Sequence, residues 1–228
     1  MANSLPNEQS CQADSRSVYL CDKGYADICN MALCQNYPPA TEVFKQGTLA
    51  SVVYIIDFGM VKLTSIGIDG EESIVGLRYS GDLLGIASVI LDGEYPVSCI
   101  TLTSCRLRLM PASIFRQVLE TNAHVLLYLL KGCSNEILNQ MSQLIDTSFS
   151  AQQRLKHLLA QFLQALDGQV LPQEVRLHLP LKHWELAQLV GITPQHLSRL
   201  LKQLQDKRII RREKSAVVII NPEALKEL

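Results

Sequence analysis

The chain has 228 residues, of which 47% are hydrophobic and 19% are charged, enough for one large or two modest domains with buried cores. Its longest uninterrupted apolar runs, such as 125–130, fall far short of the ~20 residues needed to cross a bilayer. The N-terminus has no basic stretch followed by an apolar segment, so no signal peptide is predicted. We therefore expect a cytoplasmic protein with no membrane partner.

Charge divides the chain into two unlike parts. Residues 1–150 carry 9 Lys and Arg against 15 Asp and Glu, a net charge of −6, whereas residues 151–228 carry 12 against 7, a net charge of +5. This asymmetry indicates a regulatory module joined to a module that binds an anionic partner. On charge alone, uneven surface decoration without functional meaning is the alternative.

Short apolar runs separated by glycine-bearing turns predict strands between residues 37 and 110. Ile68-Asp69-Gly70-Glu71 carries an Asp-Gly hairpin signal between two of these runs. Strands of about five residues at this spacing are typical of an antiparallel barrel or sandwich. The predicted strands are 52–56, 60–63, 73–77, 97–102 and 107–110.

A change of period after Pro111 predicts helices, the longest of them over 123–149. Its apolar residues recur three, four and seven apart along one seam, and further leucines widen the apolar surface. We expect one face to pack on the β-domain and the seam to meet a second copy of the chain; a helix wholly buried within a monomer is the alternative. The predicted dimerisation residues are Leu126, Leu130, Cys133, Ile137 and Leu144.

Residues 182–204 have what a helix-turn-helix requires. Ala187 is small where the two helices cross, and Gly191 tolerates the positive φ of the turn. Thr193 suits the N-cap of the second helix, with Pro194 at its first position. The predicted interior contacts are Leu186, Val190, Ile192, Leu197 and Leu200.

The outer face of the second helix carries polar and basic side chains. Gln can bond adenine, Arg can fork onto guanine, and Ser or Lys can reach a base or a phosphate. Seven basic and two acidic residues lie between Arg199 and Lys214, enough for several phosphate contacts.

A hairpin over 209–220 would form a wing beside the DNA backbone, although ordinary packing explains its apolar half equally well. A helical hairpin with a solvated basic face is the alternative to DNA binding. The predicted DNA-binding residues are Gln195, His196, Ser198, Arg199, Lys202, Arg211 and Arg212.

In this order of elements, the chain resembles the CRP/FNR superfamily of bacterial transcription regulators over residues 37–228. Segments 44–47, 54–56, 59–63, 81–85 and 193–201 carry the resemblance. It implies an α+β fold with a cyclic-nucleotide-binding-type β-roll, a long dimerisation helix and a winged helix-turn-helix. It also implies a homodimer that reads a two-fold symmetric double-stranded DNA operator and contacts RNA polymerase. The implied domains are 1–36, a cysteine-bearing N-terminal segment; 37–110, the β-roll sensor; 111–149, the connecting and dimerisation helix; and 150–228, the winged helix-turn-helix.

The chain departs from the family pattern at two places. Members that bind cyclic AMP have a Glu after the glycine that corresponds to Gly85 and an Arg farther along, where this chain has Ile86 and Pro96. Without that Arg a buried phosphate has no bidentate partner, so binding of a cyclic nucleotide is not expected. Segment 81–88 is more similar to the FNR-type redox branch than to the cyclic-AMP-binding branch. Gln195 stands where the family usually has Glu, so the half-site of FNR-type members is only an approximate guide to the DNA sequence that this chain would read.

Four of the seven cysteines lie within the first 34 residues. A chain large enough for a core and without an export signal has no need of a disulfide scaffold, so a metal site or reactive thiols are favoured. FNR-type sensors hold an iron–sulfur cluster on four cysteines, so the resemblance implies a cluster that senses oxygen, nitric oxide or redox state. The predicted ligands are Cys11, Cys21, Cys29 and Cys34.

This ligand set is inferred from clustering, since the intervals match neither a ferredoxin nor the FNR spacing. Arg108 stands where the FNR branch has its β-roll cysteine, and Cys99 or Cys105 is an alternative ligand. Thiol–disulfide chemistry or a small-molecule effector in the β-roll are alternative switches. We expect a change at the N-terminal site to alter how the long helices pack across the dimer. No catalytic motif stands out, so we expect no enzyme activity.

Overall fold

The computed structural model describes residues 23–145, 150–165, 175–177, 179–213, 217–221 and 225. Its N-terminal domain is built from two four-stranded antiparallel sheets, with strand orders β1-β8-β3-β6 and β2-β7-β4-β5. The strands are β1 (Leu33–Tyr37), β2 (Glu42–Phe44), β3 (Val52–Phe58), β4 (Met60–Ile66), β5 (Glu72–Tyr79), β6 (Leu83–Leu84), β7 (Ser98–Thr101) and β8 (Cys105–Pro111).

Glycines in the left-handed region make two of the turns between these strands. Gly70 has φ +80° in the β4–β5 hairpin, as its Asp-Gly signal predicts. Gly59 has φ +100° between β3 and β4, where a Cβ would come within 2.6 Å of Cys105 Sγ. The β-roll therefore forms where the turn residues predict it. Its first strand, β1, lies mostly before residue 37, in the segment that the sequence pattern separates from the β-roll.

Within the described residues, four helices pack on the β-roll: α1 (Lys23–Met31), α2 (Ile86–Ile90), α3 (Ala112–Thr121) and α4 (Ala123–Ile145). Val125, Tyr128 and Leu129 of α4 are buried in the β-roll core, which confirms that one face of the long helix packs on the β-domain. Helix α1 lies along α4, with the Tyr25 and Tyr128 rings 5.8 Å apart. The predicted helical residues 146–149 lie outside the described part.

The C-terminal domain packs around a second apolar core, which includes Leu155, Phe162, Leu197 and Leu204 and which residues of β4 and β5 join. A three-stranded sheet of residues 210–212, 217–219 and 175–177, in that order, completes it, and its first two strands confirm the predicted hairpin. The α+β architecture is thus the predicted one, and no described helix is long and apolar enough to span a membrane. The elements are α5 (Ala151–Ala165), β9 (Val175–Leu177), α6 (His183–Val190), α7 (Pro194–Asp206), β10 (Ile210–Arg212) and β11 (Val217–Ile219).

Candidate nucleic-acid interface

Helices α6 and α7 form the predicted helix-turn-helix. Gly191 ends α6 with φ +70°, and its amide donates to the Gln188 carbonyl at 2.9 Å. Thr193 Oγ1 accepts from the His196 amide at 3.2 Å, so Thr193 is the N-cap of α7, and Pro194 follows at its first position. These three residues of the turn therefore determine where α7 begins, the second helix of the motif and the predicted recognition helix.

Apolar contacts fix the two helices to each other. Ala187 is 1% exposed and Leu197 is 0% exposed, so the crossing is fully closed. Arg154 of α5 adds a polar contact, since its Nε donates to the Val190 carbonyl at 2.9 Å, where the negative end of the α6 dipole lies. The predicted interior residues Leu186, Val190 and Leu200 are also buried, and Ile192 is half-buried.

The opposite face of α7 points away from this core. Gln195, Arg199 and Lys202 are exposed, whereas His196 and Ser198 are half-buried. Neither Arg199 nor Lys202 makes an ion pair with another described residue. Their charges are therefore available to an external anion, as base and phosphate contacts require.

A histidine outside the predicted DNA-binding set lies beside this face. His183, at the first position of α6, has its Nε2 3.3 Å from Ser198 Oγ. The contact joins the start of the first helix to the middle of the recognition helix. Spacing along the chain gives no signal for it, because it depends on the angle at which the two helices cross.

The three-stranded sheet places further basic residues beside α7. Arg211 and Arg212 of β10 are exposed and pair in register with Val218 and Val217 of β11. Arg211 Nε lies 3.8 Å from Glu213 Oε1. The tip of the hairpin, 214–216, lies outside the described residues. The geometry is that of a wing with an exposed basic strand.

Helix α4 carries an apolar stripe that no described residue covers. Leu126, Leu130 and Ile137 are 52%, 61% and 58% exposed, and Cys133 between them is exposed as well. The side chain of Leu144 lies outside the described part. Four of the five predicted dimerisation residues thus lie on the uncovered side of the helix.

Aromatic rings pack inside the β-roll near the segment that departs from the cyclic-AMP pattern. Tyr95 stacks on Phe44 with ring centroids 4.1 Å apart, and its hydroxyl donates to the Val52 carbonyl at 2.6 Å. Gly85 lies against the Tyr95 ring, which a Cβ would approach to 2.9 Å. Pro96, in the place of the phosphate-binding arginine, is exposed.

A cation inside the β-roll was missed by the sequence analysis. Arg78 pairs in register with the buried Val61 and makes no ion pair with a described residue. Its charge lowers the pKa of the neighbouring Cys99 thiol, but burial outweighs it and raises that pKa to about 12. The alternation of β5 gives the signal for its position, since Leu77 and Tyr79 face the other side.

The predicted cluster ligands are only partly within the described chain. Cys29 on α1 is half-buried and Cys34 on β1 is exposed, while Cys11 and Cys21 lie outside the described residues. Arg108 lies between them: it pairs in register with Cys34, and its Nη1 donates to the Cys29 carbonyl at 3.0 Å. Burial raises the pKa of Cys29, although Arg108 opposes that shift. No three potential metal ligands come together within the described residues.

Comparison with known protein families defines the class to which this fold belongs. A profile described as "Cyclic nucleotide-binding domain" matches residues 34–122, and one described as "Crp-like helix-turn-helix domain" matches residues 153–228. The chain therefore belongs to the CRP/FNR family of regulators.

Particular relatives span nearly the whole chain. The global nitrogen regulator of a Nostoc species is 26% identical over 216 residues, which cover 90% of this chain and 96% of the relative. The cAMP-activated global transcriptional regulator CRP of Haemophilus influenzae is 21% identical, over 80% of this chain and 82% of that protein. The structure of FixK2 from Bradyrhizobium japonicum has a TM-score of 0.69 at 20% identity and covers 86% of this chain and 96% of its own. The two relatives matched by sequence are named as regulators, one of them transcriptional, and these similarities do not assign the chain to one branch of the family.

Proposed function

We propose that the chain is a homodimeric, sequence-specific DNA-binding transcription regulator. The observation that carries this proposal is the outer face of α7, where Gln195 is exposed and the exposed Arg199 and Lys202 have no ionic partner among the described residues. Gly191 and Thr193 fix where this helix begins. The basic strand β10 supplies phosphate contacts beside it. The uncovered stripe of α4 supports the dimer, which would present two such helices to a two-fold symmetric operator.

An unbiased selection from random duplexes, followed by gel-shift titration at several salt concentrations, tests this proposal. We expect a two-fold symmetric site whose binding falls steeply with salt. Sedimentation of the free protein is expected to give a dimer. Enrichment of no sequence, or a monomer that binds DNA without selectivity, would contradict the proposal.

We further propose that the N-terminal cysteines set the DNA affinity through an iron–sulfur cluster on Cys11, Cys21, Cys29 and Cys34, as in the FNR-type branch. Ile86 and Pro96 support that branch because a nucleotide phosphate would find no arginine there. Helix α1, which carries Cys29, packs directly on α4, so a change at Cys29 reaches the helix with the proposed dimer face. The described residues do not by themselves complete a ligand set, and the fit depends on Cys11 and Cys21.

Anaerobic purification with visible absorption and iron and sulfide analysis tests the cluster. We expect iron and sulfide in the wild type and their loss in Cys29→Ala, with Cys133→Ala as a control that retains both. A colourless, iron-free protein would contradict the cluster. A thiol–disulfide switch would then be the next candidate, although the raised pKa of Cys29 makes that thiol a slow nucleophile.

Arg78 favours the remaining alternative, a small-molecule effector in the β-roll. A half-buried guanidinium without a carboxylate partner among the described residues suits an anionic ligand. Thermal-shift measurements with small carboxylates and phosphates are expected to show stabilisation in the wild type and none in Arg78→Met. Equal responses of the two proteins would exclude Arg78 as the anchor.

A further inference from the structure

The outward face of the β4–β5 hairpin packs against the DNA-binding domain. Strand alternation turns Val61 into the β-roll core, whereas Met60 points the other way. Met60, Leu77 and Tyr79 are buried in one apolar cluster with the residues of α5 and α6. The hairpin is therefore part of the surface against which the helix-turn-helix packs.

A buried ion pair crosses this contact. Lys62 Nζ of β4 donates to Glu185 Oε1 of α6 at 2.6 Å, and the two side chains are only 16% and 6% exposed. The second carboxylate oxygen, Oε2, accepts from the Lys182 amide at 2.7 Å and so closes the first turn of α6. One carboxylate thus joins the β-roll to the start of the first helix of the motif.

A second polar contact lies one turn farther along the same face of α6. Gln188 Oε1 accepts from the Ile74 amide at 3.1 Å, and Ile74 belongs to β5, the edge strand of its sheet. Residues three apart on a helix point to the same side. Two contacts at different heights fix both the position of α6 and its rotation about its own axis.

The orientation of α6 is passed on to the recognition helix. Leu186 and Leu197 are buried at the α6–α7 crossing, and the His183–Ser198 contact adds a polar link. Helices α6 and α7 therefore pack as one unit, and the contacts of the hairpin with α6 also set the direction in which α7 points from the β-roll.

We propose that Lys62 is a positioning residue for DNA binding, which sets the half-site spacing that the dimer accepts. This inference rests on the proposed function. In a dimer the distance and angle between the two recognition helices depend on how each DNA-binding domain sits on its β-roll, whereas base preference depends on the side chains of α7. Spacing and base preference can therefore be separated by mutation.

The test is a selection with the full-length protein from a library in which both half-sites and the spacer length vary. For the wild type we expect one preferred spacer. For Lys62→Met, which keeps the aliphatic stem but removes the charge, we expect neighbouring spacers to be accepted and the affinity to fall about tenfold, which corresponds to ~1.4 kcal/mol. The half-site consensus is expected to stay unchanged.

Matched variants separate positioning from a general loss of structure. Lys62→Arg keeps the positive charge and is expected to retain the narrow spacer preference of the wild type. Lys45→Met, at an exposed lysine of the same domain, is expected to retain it as well. Gln188→Leu removes the second contact without disturbing the ion pair, so the same broadening is expected if Lys62→Met fails to fold. Circular dichroism and urea unfolding identify which variants are folded.

An unchanged spacer profile and affinity in folded Lys62→Met and Gln188→Leu would overturn the proposal. Tighter binding with the same spacer would overturn it as well, because the contact would then be inhibitory. If the wild type itself enriches no site, the proposed function fails and this inference fails with it. If the wild type enriches a site and the variants match it, only the positioning role of Lys62 is lost.

Discussion

Gly24 of α1 lies directly against Tyr128 of α4, so closely that a Cβ on Gly24 would come within 2.6 Å of the Tyr128 Cβ. The absence of a side chain at Gly24 is what allows the two helices to pack at this distance. The Asp27 carboxylate of α1 also accepts from Nδ2 of Asn122 at 3.0 Å, and Asn122 is the residue directly before α4. The helix that carries Cys29 is thereby attached to the helix with the proposed dimer face.

Replacing Gly24 with Ala is expected to destabilise the protein by about 1–3 kcal/mol, the usual cost of overpacking a closed contact. Helix α1 must shift away from α4, so we also expect weaker DNA binding. Urea unfolding and gel-shift titration measure the two effects. Gly132→Ala in α4 is the control: a Cβ there meets no atom within 4 Å, and the higher helix propensity of Ala leaves stability unchanged or raised. Equal stability of the two variants would contradict the close packing.

Arg199→Ala and Lys202→Ala are expected to affect DNA binding in different ways. An arginine that reads a base contributes ~1–3 kcal/mol of discrimination at one base pair, so Arg199→Ala should relax selectivity at a single position. A lysine that contacts a phosphate contributes equally to the binding of every DNA sequence, so Lys202→Ala should weaken binding uniformly. It should also reduce by about one the slope of log binding constant against log salt concentration. Competition titrations with single-base variants of the selected site distinguish them. A uniform loss in Arg199→Ala would exclude base reading by that residue.

Leu130→Lys is expected to dissociate the proposed dimer. The substitution places a charge in the middle of the apolar stripe of α4, where it would be buried without a partner in the dimer. Sedimentation velocity should show a shift from dimer to monomer, and DNA affinity should fall because the two half-sites would be bound independently. Ile114→Lys, at a 42% exposed apolar residue of α3, is expected to leave the dimer intact. A dimeric Leu130→Lys protein would place the interface elsewhere.

Burial of Cys99 gives stability a pH dependence in the alkaline range. Burial raises the pKa of this thiol from 9.0 to about 12, so the folded protein keeps a proton that the unfolded chain loses. The contribution of Cys99 to stability is therefore complete below pH 9.0 and is lost as the pH rises towards 12. The stability lost over this pH range is on the order of 4 kcal/mol, because a difference of one unit between the folded and unfolded pKa corresponds to about 1.36 kcal/mol.

Urea unfolding at several pH values above 9 checks this expectation. Cys99→Ala should lose stability less steeply with pH than the wild type, because its unfolding exposes no thiol at this position. Cys133→Ala, at an exposed cysteine, should keep the wild-type slope. The buried Tyr25, whose pKa is also raised by burial, contributes the same remaining slope to all three proteins. Identical slopes in Cys99→Ala and the wild type would contradict the role of Cys99.

The helix-turn-helix was predicted residue by residue because its signals are local. The positive φ of Gly191, the N-cap at Thr193 and the first-position Pro194 each depend on a few neighbouring residues, and all are confirmed. The β4–β5 hairpin was predicted for the same reason, from its Asp-Gly turn. Strand β1 was not predicted, because four of its five residues are exposed and no apolar alternation marks it. It is a strand because β8, some seventy residues farther along the chain, pairs with it.

The sequence by itself determined the two domain types, the face of α7 that meets solvent and the apolar stripe of α4, since periodicity and capping express these features within single elements. Only the tertiary structure decided which distant residues meet. Lys62 and Glu185 lie 123 positions apart, and Arg108 reaches Cys29 across 79. No local pattern encodes such pairs, because their separation in space depends on how the β-roll closes and on where the DNA-binding domain packs against it.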